Sequence, residues 1–206
     1  MKTILVIDDH PIVLAGMERL LSSRGFKVIT AGCQNTALMA ATHIDGIDMI
    51  VCDLQLGNGA DGLDLILEMR RSGFEKPTIV YTMHDELWNI PRLTGAGLAG
   101  IVLKGDDINE LTLAIETVAS GGTYYSPAFS SRRTEAEQIR GILSERTLDV
   151  LNRIAHGESN HTIAAAMFIT EKAVDYHRSL ILKKLDCRNM ADAVRRAIDT
   201  GIIRSH

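Results

Sequence analysis

Five short apolar runs punctuate the first 120 residues, each separated from the next by a stretch that patterns as a helix. They are Ile4-Leu5-Val6-Ile7, Val28-Ile29, Met49-Ile50-Val51-Cys52, Thr78-Ile79-Val80-Tyr81 and Gly100-Ile101-Val102-Leu103. Runs that are apolar throughout, rather than alternating, suit strands buried on both faces of a parallel sheet. Between them, Pro11 fits a first helical turn ahead of a helix over 12–21, and further helices are expected over 35–42 and 63–71. Pro91 falls in the helix between the fourth and fifth strands, so that helix should start late or kink. A last helix over 107–119 has Asp106 or Asp107 placed to cap its amides. Five such units predict an α/β domain with a doubly wound, five-stranded parallel sheet. Sites in such sheets lie at the carboxyl ends of the strands.

Those ends are polar. Strand one is followed by Asp8-Asp9 and strand three by Asp53, while Thr82 and Lys104 follow strands four and five. Taken singly, each has a plain reading as a turn former, a helix cap or a solvated charge. Together they bring three carboxylates, a hydroxyl and an ammonium to one sheet edge. Crowded carboxylates repel unless a cation sits among them, and oxygen donors of this kind suit Mg²⁺. A carboxylate beside Mg²⁺ can attack phosphorus to give an aspartyl phosphate, and the hydroxyl and ammonium can then bind the phosphoryl oxygens.

This set, with the run Asp8-Asp9-His10-Pro11-Ile12-Val13, resembles the receiver domain of bacterial response regulators over residues 1–122, a flavodoxin-like fold. The resemblance implies that Asp53 accepts phosphate from a sensor histidine kinase. It implies that Asp9, Asp53 and the backbone carbonyl of Gln55 hold Mg²⁺, with Asp8 assisting through water. Lys104 would pair with Asp53 or its phosphate, and Thr82 would move to the phosphate as the switch. Three positions depart from the family's pattern. The residue three before Lys104, usually aromatic, is Ile101, which cannot reproduce a ring flip. The residue after Thr82, usually small, is Met83, expected to narrow access to the phosphate. The loop 54–62 lacks the usual proline at position 57 and is one residue longer, and its glycines read as backbone hinges. Gln55 and His84 are expected to influence the lifetime of the phosphate.

Composition bounds the rest. The chain has 206 residues, 46% hydrophobic and 23% charged, a globular balance. No run approaches the roughly 20 apolar residues of a membrane helix, and Asp8 and Asp9 interrupt any secretory signal at once. Three scattered cysteines, Cys33, Cys52 and Cys187, exclude a disulfide scaffold or a CxxC metal site and suit a cytoplasmic location. A net charge of −4 does not by itself suggest a nucleic-acid binder. It is an average, however: residues 1–122 carry nine Lys and Arg against sixteen Asp and Glu, a net −7, and residues 123–206 carry thirteen against ten, a net +3. The change falls at a stretch, 123–142, that is poor in large apolar residues and reads as a linker with some helix toward its C-terminal side.

Residues 143–206 read as all-helical. A helix carrying Leu148, Leu151 and Ala155 ends at Gly157, a short helix covers 161–166, and Thr170 is a good N-cap for a helix over 171–184. A last helix over 190–199 is ended by Gly201. On the helix after Thr170, residues Asp175, Tyr176, Ser179 and Lys183 fall within about 60° of Lys172, and Val174, Ile181 and Leu185 lie about 180–220° away. One face is apolar and the other polar, as on an ordinary surface helix. The preceding short helix and turn, and the net positive charge, fit a duplex-reading element.

Leu143-Ser144-Glu145-Arg146, Val150-Leu151, Gly157, Ser159-Asn160, Ile163-Ala164, the run 170–177 and Leu182-Lys183-Lys184-Leu185 through Arg188-Asn189 resemble the LuxR-type helix-turn-helix. With the receiver, nearly the whole chain is similar to response regulators of the NarL/FixJ class. The resemblance implies a homodimer on double-stranded DNA, with Lys172 near phosphate and Asp175, Tyr176 and Ser179 toward bases. Asp175 can accept from cytosine N4. His177 is a packed histidine or a DNA contact. Thr147 stands where the family has Glu, so a packing or capping contact is expected to be lost. The last helix, with Ala191, Val194 and Ile198, is the family's usual dimerisation element, or its apolar face is simply core.

The expected function is a DNA-binding regulator gated by phosphorylation of Asp53, and not an enzyme. A second reading keeps DNA binding but uses the receiver only for dimer packing, as Ile101 and Met83 would allow. A third is an Mg²⁺-dependent phosphotransferase.

Overall fold

A computed structural model describes residues 1–57, 59–83, 90–199 and 202–203; His84 and Gly201 lie outside the described residues. The chain divides into two compact units, the first made of Met1–Asp85 and Leu93–Ser130 and the second containing Ser131–His206.

The first unit runs β1 (Thr3–Ile7), α1 (Pro11–Ser23), β2 (Lys27–Ala31), α2 (Gln34–His43) and β3 (Ile47–Cys52). A hairpin of two-residue strands follows, β4 (Gln55–Leu56) and β5 (Ala60–Asp61), then α3 (Gly62–Arg71), β6 (Thr78–Thr82), α4 (Ile90–Gly95), β7 (Gly100–Leu103), α5 (Ile108–Ala119) and β8 (Tyr124–Tyr125). Pro11 opens α1 as expected, and Pro91 is the second residue of α4. Asp107, not Asp106, caps α5 by accepting from the Asn109 amide at 2.8 Å. Asp61 caps α3 by accepting from the amides of Leu63 and Asp64. Such caps each contribute about 1 kcal/mol.

The sheet has six strands rather than five, in the order β2-β1-β3-β6-β7-β8, and every pairing in it is parallel. The sixth strand is Tyr124–Tyr125, which pairs with Gly100 and Ile101 at the edge. Two residues beside a polar stretch give no strand periodicity, so the sequence reads there as linker. On one face, Ile4, Val6, Met49, Val51, Ile79 and Val102 pack with Met17 and Leu21 of α1 and with Leu111, Ala114, Ile115 and Val118 of α5. The alternate residues Leu5, Ile7, Ile50, Cys52, Val80 and Ile101, also buried, belong to the opposite face by strand period. The connection from β1 runs to β2 on one side and the connections from β3 run to β6 on the other, so the winding reverses between β1 and β3. That switch point is where an α/β sheet opens a crevice at its carboxyl edge.

α6 (Pro127–Ile142) leads into α7 (Glu145–Ala155), α8 (Asn160–Met167), α9 (Glu171–Leu185) and α10 (Met190–Asp199). These last four helices surround one core that includes Leu143, Val150, Leu151, Ile163, Val174, Ile181, Leu185, Ala193 and Ala197. Ser144, Ser159 and Thr170 each accept from an amide of the helix that follows, so α7, α8 and α9 all start on a side-chain cap. On α10, Val194 and Ile198 are half-buried against this core and Ala191 is exposed. No helix of the described residues is long and apolar enough to cross a membrane.

Candidate functional site

The sheet ladder delivers the acidic residues to one place. Asp53 N donates to Ile7 O at 2.9 Å and Asp8 N to Ala31 O at 3.1 Å, so both residues leave their strands at the same level. Lys104 N donates to Thr82 O at 2.7 Å, which ties the lysine's backbone to the strand beside β3. The Lys104 ammonium then reaches across and donates to Asp8 Oδ2 and to Asp53 Oδ2, both at 2.6 Å. Asp8 and Asp53 are 2% and 5% exposed, and the lysine side chain 9%. Burial alone would push the ammonium's pKa down. Its hydrogen bonds to Asp53 and Asp8, and their charges, outweigh burial and hold it above the ordinary lysine value. The Lys104 nitrogen also lies 5.7 Å from the centre of the Tyr81 ring.

Ligand atoms of Asp8, Asp9, His10 and Asp53 all lie within 4.8 Å of one another. Asp9 Oδ1 is buried and takes no hydrogen bond among the described residues; His10 Nδ1 lies 2.8 Å away, within ion-pairing distance only. His10 Nδ1 also lies 3.2 Å from Asp8 Oδ1. Three carboxylates, one with an orphaned oxygen, fit a hard divalent cation, with Asp9 supplying the open donor. His10 joins the cluster as well, and its only signal in the sequence is its place in the polar run after β1.

The loop after Asp53 closes over the cluster. Gln55 N donates to Asp53 Oδ1 at 3.3 Å. A Cβ on Gly57 would stand 3.3 Å from Asp9 Oδ2. A Cβ on Gly62 would stand 1.8 Å from the Asp53 carbonyl oxygen and 3.1 Å from Cys52 Sγ. Among the described residues of this loop, Gly59 alone has a positive φ, 77°. Gly59 uses the left-handed backbone that glycine tolerates, whereas Gly62 is needed because backbone passes against backbone. Cys52 is fully buried, and burial pushes its thiol far above the usual range. Thr82 is fully buried at its strand end, and Met83, beside it, is 70% exposed.

Ile101 is fully buried in β7, directly opposite Tyr125 of β8. Tyr125 packs on Phe129 with ring centroids 5.8 Å apart. An aromatic is therefore present beside Ile101, contributed by the edge strand.

In the second unit, α9 presents Lys172, Asp175, Tyr176, Ser179 and Lys183 as exposed residues and buries Val174, Ile181 and Leu185, as the period predicts. Asp175 is not isolated, because Asn160 Nδ2 donates to its Oδ1 at 2.7 Å. His177 packs locally: its Nδ1 is 3.1 Å from Thr147 Oγ1, which is 2.8 Å from Ser144 Oγ. Burial, and then the charge of Arg146, hold the imidazole below the ordinary histidine value. Thr147 is fully buried, and its amide donates to Ser144 Oγ at 3.3 Å. Thr147 thus donates its amide to the Ser144 cap and links α7 to α9 through His177.

Residues 4–116 match the response regulator receiver domain family, and residues 141–197 match the bacterial regulatory proteins of the luxR family. The chain belongs to the NarL/FixJ class of response regulators. It is 33% identical over 198 residues to the nitrate/nitrite response regulator protein NarP of Escherichia coli K12, spanning 92% of this chain and 91% of that one. It is likewise 33% identical over 204 residues to the transcriptional regulatory protein MctR of Rhizobium johnstonii, spanning 97% and 94%. Its fold matches that of RcsB from Salmonella enterica serovar Typhimurium bound to promoter rprA, with a TM-score of 0.70 at 24% identity, covering 95% and 97% of the two chains. This response regulator is accordingly a DNA-binding regulator of transcription rather than an enzyme. Its receiver carries the acidic cluster that, in receivers, binds Mg²⁺.

Proposed function

We propose that Asp53 is the phosphoacceptor of this regulator and that a sensor histidine kinase is the donor. The observation that carries the reading is the Lys104 ammonium shared between Asp53 and Asp8 beside the orphaned oxygen of Asp9. A carboxylate oxygen of Asp53 attacks phosphorus, the P–N bond to the kinase histidine breaks, and an acyl phosphate forms. Asp9, Asp53 and the Gln55 carbonyl would hold Mg²⁺, with Asp8 assisting through water, and the ion would supply positive charge against the incoming phosphoryl group. Lys104 then binds a phosphoryl oxygen, and Thr82 turns toward the phosphate. Residues 1–122, with β8 completing the sheet, serve as receiver, the rest of 123–142 as linker and 143–206 as the DNA-binding part. The regulator acts in the cytoplasm as a homodimer, in which α10 contributes Ala191, Val194 and Ile198. On the duplex, Lys172 and Lys183 lie near phosphates, and Asp175, Tyr176 and Ser179 face bases.

Labelling of the full chain by a small phosphodonor, in the presence of Mg²⁺, tests this. Asp53→Asn should abolish labelling and weaken promoter binding. Retained labelling, or promoter binding that no longer depends on the donor in the parent chain, overturns it.

The buried aliphatic Ile101 favours a second reading, in which the receiver packs a dimer without a phosphate switch. Operator affinity measured with and without beryllofluoride separates the two: a phosphate-gated regulator gains affinity, and a constitutive one does not.

A further inference from the structure

Beside the contact of His161 Nδ1 with Glu171 Oε1 at 3.0 Å, a side-chain amide links α8 to α9. Asn160, the first residue of α8, donates from Nδ2 to Asp175 Oδ1 at 2.7 Å and accepts at Oδ1 from Arg178 Nη1 at 3.4 Å. Asp175 and Arg178 sit three apart on α9, where opposite charges would ordinarily meet. Among the described residues they form no direct ion pair; the amide stands between them and satisfies one group of each. Asp175 Oδ2 takes no hydrogen bond from a described residue, so one carboxylate oxygen is fixed and the other is left over.

We propose that Asn160 is a specificity-determining positioning residue, which holds Asp175 so that its second oxygen reads a base donor in the major groove. This rests on the assignment of Asp175 to the base-reading face. The chemistry selects the partner. A carboxylate accepts only, and repels phosphate, so its match on a base edge is an amino group, and cytosine N4 suits it better than adenine N6, which stands beside the acceptor N7. An exposed aspartate with free χ1 and χ2 would lose rotamer freedom on binding, and it could fold back onto Arg178 instead. The Asn160 hydrogen bond removes both alternatives before the duplex arrives, and preorganisation of this kind raises discrimination without adding a contact. Asn160 itself touches no base in this arrangement.

The test is selection of binding sites from a randomised duplex pool, followed by affinity measurement on matched sites that differ at one base pair per half-site. The full chain, Asn160→Ala, Asn160→Asp, Asp175→Ala and the Asn160→Ala/Asp175→Ala pair are compared, with thermal unfolding as the check on folding. Asp175→Ala should erase a cytosine preference at one position. Asn160→Ala should reduce that preference at least about fivefold, and Asn160→Asp, which keeps the size but loses the donor, should do the same. The double variant should match Asp175→Ala alone. If Asp175→Ala leaves base preference unchanged, the assignment of Asp175 fails and the proposal with it. If Asp175→Ala erases the preference while Asn160→Ala keeps it, or lowers affinity for all sequences equally, the role of Asn160 alone is overturned.

Discussion

Lys104 Nζ stands 2.6 Å from carboxylate oxygens of both Asp8 and Asp53, so one buried ammonium is shared by two strand-end acids from different strands. Removing it strands both charges. Lys104→Ala should cost about 3–5 kcal/mol, as when a buried pair loses one partner. Urea unfolding with and without Mg²⁺ checks this: the variant's midpoint should rise more with Mg²⁺ than the parent's, because the ion substitutes for the missing ammonium. Equal shifts would mean that the carboxylates do not share the cation site.

Gly62 admits no side chain where the chain passes Asp53. Gly62→Ala places a methyl carbon 1.8 Å from a backbone oxygen, so β3 or the start of α3 must move. A loss of about 1–3 kcal/mol or more is expected, read by urea unfolding, together with slower labelling by a phosphodonor. Gly59→Ala should lose less, about 1 kcal/mol, because it strains φ without meeting another atom.

Phe168 caps α8 with φ 54° and is 95% exposed. Left-handed backbone costs a non-glycine residue about 1–2 kcal/mol, and nothing in the core repays it. Phe168→Gly should therefore raise thermal stability by about 1 kcal/mol, a gain read by differential scanning calorimetry. An unchanged or lower midpoint would show that the ring stabilises the turn.

Burial, then Arg146, lower the proton affinity of His177 in the folded chain. Below the usual histidine value of about 6.5, the unfolded chain takes up this proton first, so stability falls as the pH drops toward 5 and is full above 7. His177→Gln should flatten that part of the profile. Thermal unfolding of both chains from pH 8 to 5 decides it.

Lys172→Ala should weaken binding to all duplexes alike and lower the slope of log affinity against log salt by about 1. A change of sequence preference at constant slope would place Lys172 on the base edge instead.

Much of this architecture can be read from the chain alone, because its strands are continuous apolar runs with the reactive side chains immediately after them. Asp8, Asp9, Asp53, Thr82 and Lys104 announce themselves by position. What sequence hides depends on contacts between distant residues. Tyr124–Tyr125 becomes a strand only because β7 offers an edge to pair with. Gly62 reads like any loop glycine until the Asp53 carbonyl is seen against it. Asn160 looks like an ordinary helix-start residue, because its partners Asp175 and Arg178 lie 15 and 18 positions away. Thr147 reads as a departure from pattern, yet its hydroxyl finds Ser144 and His177.

The short strand β8 also bears on how this protein behaves when divided. β8 and the residue after it satisfy carbonyls along the outer edge of β7 and just before it: Tyr124 N donates to Ala99 O at 3.0 Å and Ser126 N to Ile101 O at 2.9 Å. A receiver fragment ending at Gly122 would leave those carbonyls open along a strand whose four residues are all buried. Open strand edges recruit other strands. Such a fragment would self-associate, and one carried on through Phe129 would stay dispersed.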